Sequence, residues 1–212
     1  MAHTTVARPT DHVETIKGSR FLARVASVAD VAAAERLLAD ARAEFPDAHH
    51  HCSAWRVGSA LAANDDGEPG GTAGRPMLEV LLKRELDHVA VVCVRWFGGT
   101  KLGAGGLVRA YGGTVAKALD DAGERFVPDR VRAVARLPYA RLDVVHRLLD
   151  DWPGARKGDA TFGADGAVLP FVALASDLED LRRRLADVSS GEVEVEVVSS
   201  DPAALLDDGT GT

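Results

Sequence analysis

The run His88-Val89-Ala90-Val91-Val92-Cys93-Val94-Arg95-Trp96-Phe97 is almost unbroken in apolar character. It is rich in β-branched residues and predicts a strand buried on both faces. Directly behind it, Gly98 to Gly106 holds five glycines in nine residues, and a helix follows to Ala122-Gly123. A buried strand that empties into a glycine-rich turn and then a helix is a frame for a site. Glycines let backbone approach a ligand, and a helix start adds positive partial charge.

The rest of the chain bounds what that frame belongs to. It has 212 residues, 46% of them hydrophobic and 27% charged, enough for one large domain or two small ones with a real core. Two cysteines, Cys52 and Cys93, exclude a disulfide-rich scaffold and a four-cysteine zinc site. No apolar run approaches the roughly 18 residues a membrane helix needs, and Met1 to Arg20 lacks a signal-peptide core. The expectation is a cytoplasmic protein with reduced thiols, no membrane partner, and a monomeric or weakly dimeric state.

Residues 1–12 are polar and expected to fray. Phe21 to Val25 reads as a strand. Ser27 to Asp30 has capping-box spacing before a helix with Val31, Ala34, Leu38, Ala41 and Phe45 on one face, ended by Pro46. Cys52 to Val57 predicts a strand, Asn64 to Gly74 a loop, and Pro76 the first turn of a helix running to about Leu86. Phe126 to Asp129 looks like a linker between domains at 13–125 and 130–199. Beyond it come strand 131–137, helix 141–152, strands 160–162 and 167–174 about a Gly163–Gly166 turn, helix 177–188 and strand 192–198. That order is the βαββαβ pattern of ferredoxin-like domains. Residues 200–212 read as a disordered tail. The fold class is α+β.

Charge is unevenly spread. The formal net charge is −7; residues 1–125 carry 15 basic and 16 acidic groups, and residues 126–212 carry 10 and 16. Such an acidic chain is a poor nonspecific nucleic-acid binder. Yet Arg95 to Lys117 holds Arg95, Lys101, Arg109 and Lys117 without one acid, leaving room for a single anionic site. Its candidate residues are Arg95, Gly98, Gly99, Lys101, Gly103, Gly105, Gly106 and Arg109. The stretch is neither a Walker motif nor a dinucleotide fingerprint, since Lys101 precedes the last glycines and position 108 is valine.

Two further stretches suit chemistry. Asp65, Asp66 and Glu68 put three carboxylates in four positions, candidates for Mg²⁺ binding or, with His50, for acid–base work. Ala48-His49-His50-His51-Cys52 puts His50 and Cys52 on one strand face and His49 and His51 on the other. Structural histidines are the simpler reading, and Cys93 belongs to the core. Trp55, Trp96 and Phe97 stack bases only if they face outward.

Taken together these stretches resemble the IMPACT (YigZ) family, in the two-domain form of its bacterial members. The resemblance rests on Lys17 to Phe21, His50 to Cys52 with Ala54 to Arg56, Asp65 to Pro69 with Gly71 to Gly74, and Arg95 to Tyr111. Trp55 and Trp96 stand where the family usually has tyrosine, Gly70 where it often has serine, and Thr100 where it often has an aliphatic residue. The resemblance implies a first domain like the second domain of ribosomal protein S-five, a sheet with helices on one face. It implies a ferredoxin-like second domain similar to a late domain of elongation factor G. Eukaryotic relatives regulate translation by competing for a partner of a starvation-activated kinase, a pathway bacteria lack. The expectation is a translation-associated regulator, non-enzymatic or at most weakly catalytic, that binds RNA or the ribosome. Lys101, Arg109 and the turn amides would contact phosphates, with Lys17 and Arg20 adding charge. The acids would pair with these cations or hold Mg²⁺; no other cofactor is expected. An enzyme acting on a small phosphorylated or carboxylated metabolite, with His50 as base, and a protein-interaction adaptor are the alternatives.

Overall fold

A computed structural model describes residues 2–199, so the expected tail at 200–212 lies outside the described residues. The chain forms two compact units, His3–Val127 and a second beginning at Pro128.

The first unit is built on an antiparallel sheet. Its strands are β2 (Thr10–Ile16), β3 (Ser19–Ser27), β4 (His50–Val57), β5 (Ala60–Asn64) and β6 (Val89–Trp96), in the spatial order β2-β3-β6-β4-β5. The apolar run takes the centre, as its composition demands. Val89, Val91 and Cys93 face one side, and Ala90, Val92 and Val94 the other, all buried. Helices α2 (Gly74–Lys83) and α3 (Ala104–Ala122) cover the first side with Met77, Leu81, Tyr111, Val115 and Leu119. Helix α1 (Val31–Glu44) covers the second with Ala34 and Ala41. Helices therefore lie on both faces, not on one, because the alternate residues of β3 and β6 are apolar on each side.

Three local expectations are corrected. The N-terminal stretch expected to fray is instead in strands: β1 (His3–Val6) pairs with β7 (Glu124–Val127), and Thr10 already lies in β2. Burial of Thr5 and Val6 holds β1 in place. The supposed linker at Phe126-Val127 is accordingly the end of β7. The cap of α1 is Asp30, whose Oδ1 accepts the Ala33 amide at 2.7 Å, rather than a box begun by Ser27. A cap of this kind is worth about 1 kcal/mol.

The second unit runs β8 (Arg130–Leu137), α4 (Leu142–Asp151), β9 (Arg156–Lys157), β10 (Thr161–Gly163), β11 (Gly166–Leu174), α5 (Leu178–Ser189) and β12 (Glu194–Ser199). The sheet order is β10-β11-β8-β12, with the short β9, absent from the expected elements, pairing on β11. The strand-helix-strand-strand-helix-strand order is present. Val145 and Leu149 of α4 and Leu181 and Leu185 of α5 bury one sheet face against Leu169 and Phe171.

Candidate functional site

The acidic loop after β5 is held by its own carboxylates. Asp65 Oδ1 accepts the amides of Ala73 and Gly74 at 2.9 and 2.8 Å, and Oδ2 that of Gly71 at 2.7 Å. Burial works to raise this carboxyl, but the Gly71, Gly74 and Ala73 amides outweigh it and hold it below the usual carboxylate range. Asp65 thus tethers the loop to the start of α2. Gly74 must be glycine there, since a Cβ would stand 2.4 Å from the Asn64 nitrogen.

Asp66 turns elsewhere. Its Oδ1 takes a 2.7 Å hydrogen bond from Arg42 of α1, and its Oδ2 another of 2.7 Å from the His51 amide. Glu68 turns inward. Its Oε1 accepts from Arg95 Nη1 at 2.6 Å and from the Tyr111 hydroxyl at 2.7 Å. Arg95 is only 4% exposed and Glu68 8%. Arg95 Nη2 also donates to Ser19 Oγ at 3.2 Å, and Ser19 Oγ accepts the Gly98 amide at 3.2 Å.

Arg95 is therefore not an anion contact. The strand alternation that carries Phe21 and Cys93 into the core carries Arg95 with them, and Glu68 neutralises it. Nor do Asp65, Asp66 and Glu68 converge: each serves a different partner, and among the described residues no group of three or more His, Cys, Asp and Glu side chains is placed to hold a metal ion. His50 donates from Nδ1 to the Asp66 carbonyl at 2.9 Å, which leaves Nε2 3.8 Å from Glu68 Oε1. Burial pushes the Cys52 thiol up to about 12, so it is no thiolate nucleophile at neutral pH. Tyr111 and Ser19 complete this network although no local pattern marks them. The available signal is a lone aromatic ring on the inner face of α3, among Leu107, Ala110, Thr114 and Val115.

The glycine turn is built differently. Gly98 and Gly18 meet backbone to backbone: a Cβ on Gly98 would lie 1.9 Å from the Gly18 carbonyl oxygen. Gly99 and Gly103 have φ of +85° and +74°, in the left-handed region that favours glycine. Gly103 begins α3 with no side-chain cap. Gly106 packs on Leu102, its missing Cβ 3.0 Å from the Leu102 Cβ, while Gly105 opens toward Arg109 Nη1. The hairpin tip at Lys17, whose φ is +47°, docks beside this turn. Lys17 and Arg109 flank a cleft of about 170 Å³ floored by Ile16, Leu102, Gly106 and Ala110. Lys101, the residue before the cleft-lining Leu102, is exposed. Most other cations of this unit are spent: Arg24 on Asp11 and Glu44, Arg42 on Asp66, Arg84 on Asp120, Lys117 on Glu14. No carboxylate pairs with Lys17, Lys101 or Arg109 among the described residues. Arg20 lies over the Trp96 ring, 4.4 Å from its centroid. Trp55 and Trp96 are half-buried against α1, whereas Phe97 is 41% exposed.

This arrangement coincides with a known family. The Impact N-terminal domain matches residues 17–119, which include the acidic loop and the glycine turn. The IMPACT family member YigZ of Escherichia coli K12 is 38% identical over 195 residues, covering 89% of this chain and 94% of its own. The chain belongs to the IMPACT family. An IMPACT family member of Thermus thermophilus is 46% identical over 134 residues, covering 63% of this chain and 73% of its own. A crystal structure described only as that of a hypothetical protein superposes with a TM-score of 0.71 at 36% identity, over 93% of this chain and 98% of that one. Among the described residues no helix is long and apolar enough to cross a membrane.

Proposed function

We propose that this IMPACT family protein is a translation-associated regulator that binds RNA or the ribosome through the turn at Gly98–Gly106. The observation that carries the reading is Lys17, Lys101 and Arg109 standing, among the described residues, without carboxylate partners near the uncapped start of α3, in a chain of net charge −7. Unpaired cations beside free backbone amides suit phosphate oxygens. The role in translation comes from the family resemblance, and the acidic remainder of the chain restricts phosphate contact to this edge. Mg²⁺ is not needed to place a phosphate here, since the cations supply the charge.

The test is co-sedimentation with ribosomes and with bulk RNA across a salt series. The reading expects binding that weakens steeply as salt rises and that Lys101→Ala with Arg109→Ala removes. Absence of binding at low salt contradicts it. A thermal-shift screen with nucleotides and phosphorylated metabolites addresses the enzymatic alternative, because a tight small ligand raises the melting temperature by mass action.

A further inference from the structure

The exposed ring of Phe97 is held unusually firmly for a surface side chain. The Arg95 guanidinium carbon lies 5.6 Å from its centroid. The His49 ring stands at its edge, 6.5 Å between centroids and inclined by 75°. The Phe97 amide donates to His49 Nδ1 at 3.2 Å. Arg95 is in turn locked by Glu68 and Ser19, so the support beneath the ring is buried and rigid. A ring fixed in this way loses little conformational entropy when something flat is laid on it.

The turn that follows it leads to the cations left unpaired among the described residues. Gly98, the next residue, packs on Gly18, the residue after Lys17. Lys101 follows in the same turn, and Arg109 lines the cleft with Lys17. An aromatic platform beside a track of cations is the combination that binds single-stranded nucleic acid: bases stack on the ring and the phosphates follow the charge. A duplex cannot use the platform, since its bases are already stacked on one another.

Building on the RNA reading above, we infer that the ligand of this edge is single-stranded RNA, with one base stacked on Phe97 and the adjoining phosphates on Lys17, Lys101 and Arg109. The platform gives the preference for unpaired strands, and the cations give the affinity.

The test is fluorescence anisotropy of the full-length protein with a dye-labelled oligouridine single strand and with a blunt RNA duplex of the same length, over a salt series. The single strand is expected to bind more tightly than the duplex. Phe97→Ala is expected to weaken the single strand by roughly ten-fold with the salt slope unchanged. Phe97→Trp keeps a flat ring; it is expected to retain affinity and to add a tryptophan signal that the RNA quenches. Equal affinity for duplex and single strand, or Phe97→Ala binding like the parent while the Lys101/Arg109 double variant fails, overturns the stacking inference and leaves the phosphate reading standing. If the parent binds neither form at low salt, both fall, and a protein partner takes their place.

Discussion

The loop at residues 65–74 and the turn at residues 98–106 are alike in sequence and opposite in use. Both are rich in glycine, the first carries three carboxylates and the second Lys101 with Arg109 just behind it, and both look built for ligands. In the acidic loop every carboxylate is consumed by the fold: Asp65 by three amides, Asp66 by Arg42 and His51, Glu68 by Arg95 and Tyr111. At and beside the glycine turn, Lys17, Lys101 and Arg109 have no such partners among the described residues. Charge type and spacing announce that a segment is special. Whether the charge is spent internally decides if it is special for folding or for binding.

The contrast is sharpest at Glu68. Glu68→Ala leaves a buried guanidinium and a buried phenol without their acceptor, and is expected to cost about 3–5 kcal/mol in urea denaturation. Little loss would mean that the loop is not structural. Gly98→Ala comes next, because its methyl would run into the Gly18 carbonyl; about 2–3 kcal/mol is expected. Gly70, with nothing within 4 Å of a built Cβ and no positive φ, serves as control. Gly70→Ala is expected to stay within about 0.5 kcal/mol of the parent.

Asp65 gives a smaller effect with a pH signature. Its folded pKa lies below the unfolded one, so its contribution is present above the unfolded value of about 3.9 and is lost as pH falls through the folded value. Asp65→Asn is expected to lower the melting temperature at neutral pH. The gap to the parent should narrow as pH drops below about 4. A gap independent of pH would show that the carboxylate charge is not what holds the loop.

Much of this was legible in the chain, and the illegible part has a common cause. The central strand β6, the glycine turn and the entry into α3 follow from one apolar run and its punctuation. The order of the second unit follows from alternation and turn residues. The four-residue strands β1 and β7 escape such reading, because each is stabilised by the other across more than a hundred residues. The burial of Arg95 is hidden for a related reason. Its neutralising partner lies 27 residues away and its hydroxyl neighbour Ser19 lies 76 away, so nothing local shows that the charge is spent. Lys101 and Arg109 share their acid-free stretch with Arg95 and Lys117, which Glu68 and Glu14 pair from elsewhere in the chain, so the stretch by itself does not separate spent cations from unspent ones.

The smallest expected effect on stability belongs to the cations. Lys101→Ala with Arg109→Ala should melt within about 0.5 kcal/mol of the parent, as surface substitutions do. The most direct test of spent against unspent charge is the slope of log binding constant against log salt for single-stranded RNA, compared between the parent and the Lys17/Lys101/Arg109 triple alanine variant. Loss of three phosphate contacts predicts a slope shallower by about two. An unchanged slope in a folded variant would show that these cations touch no phosphate, and the distinction drawn between the two glycine-rich segments would fail.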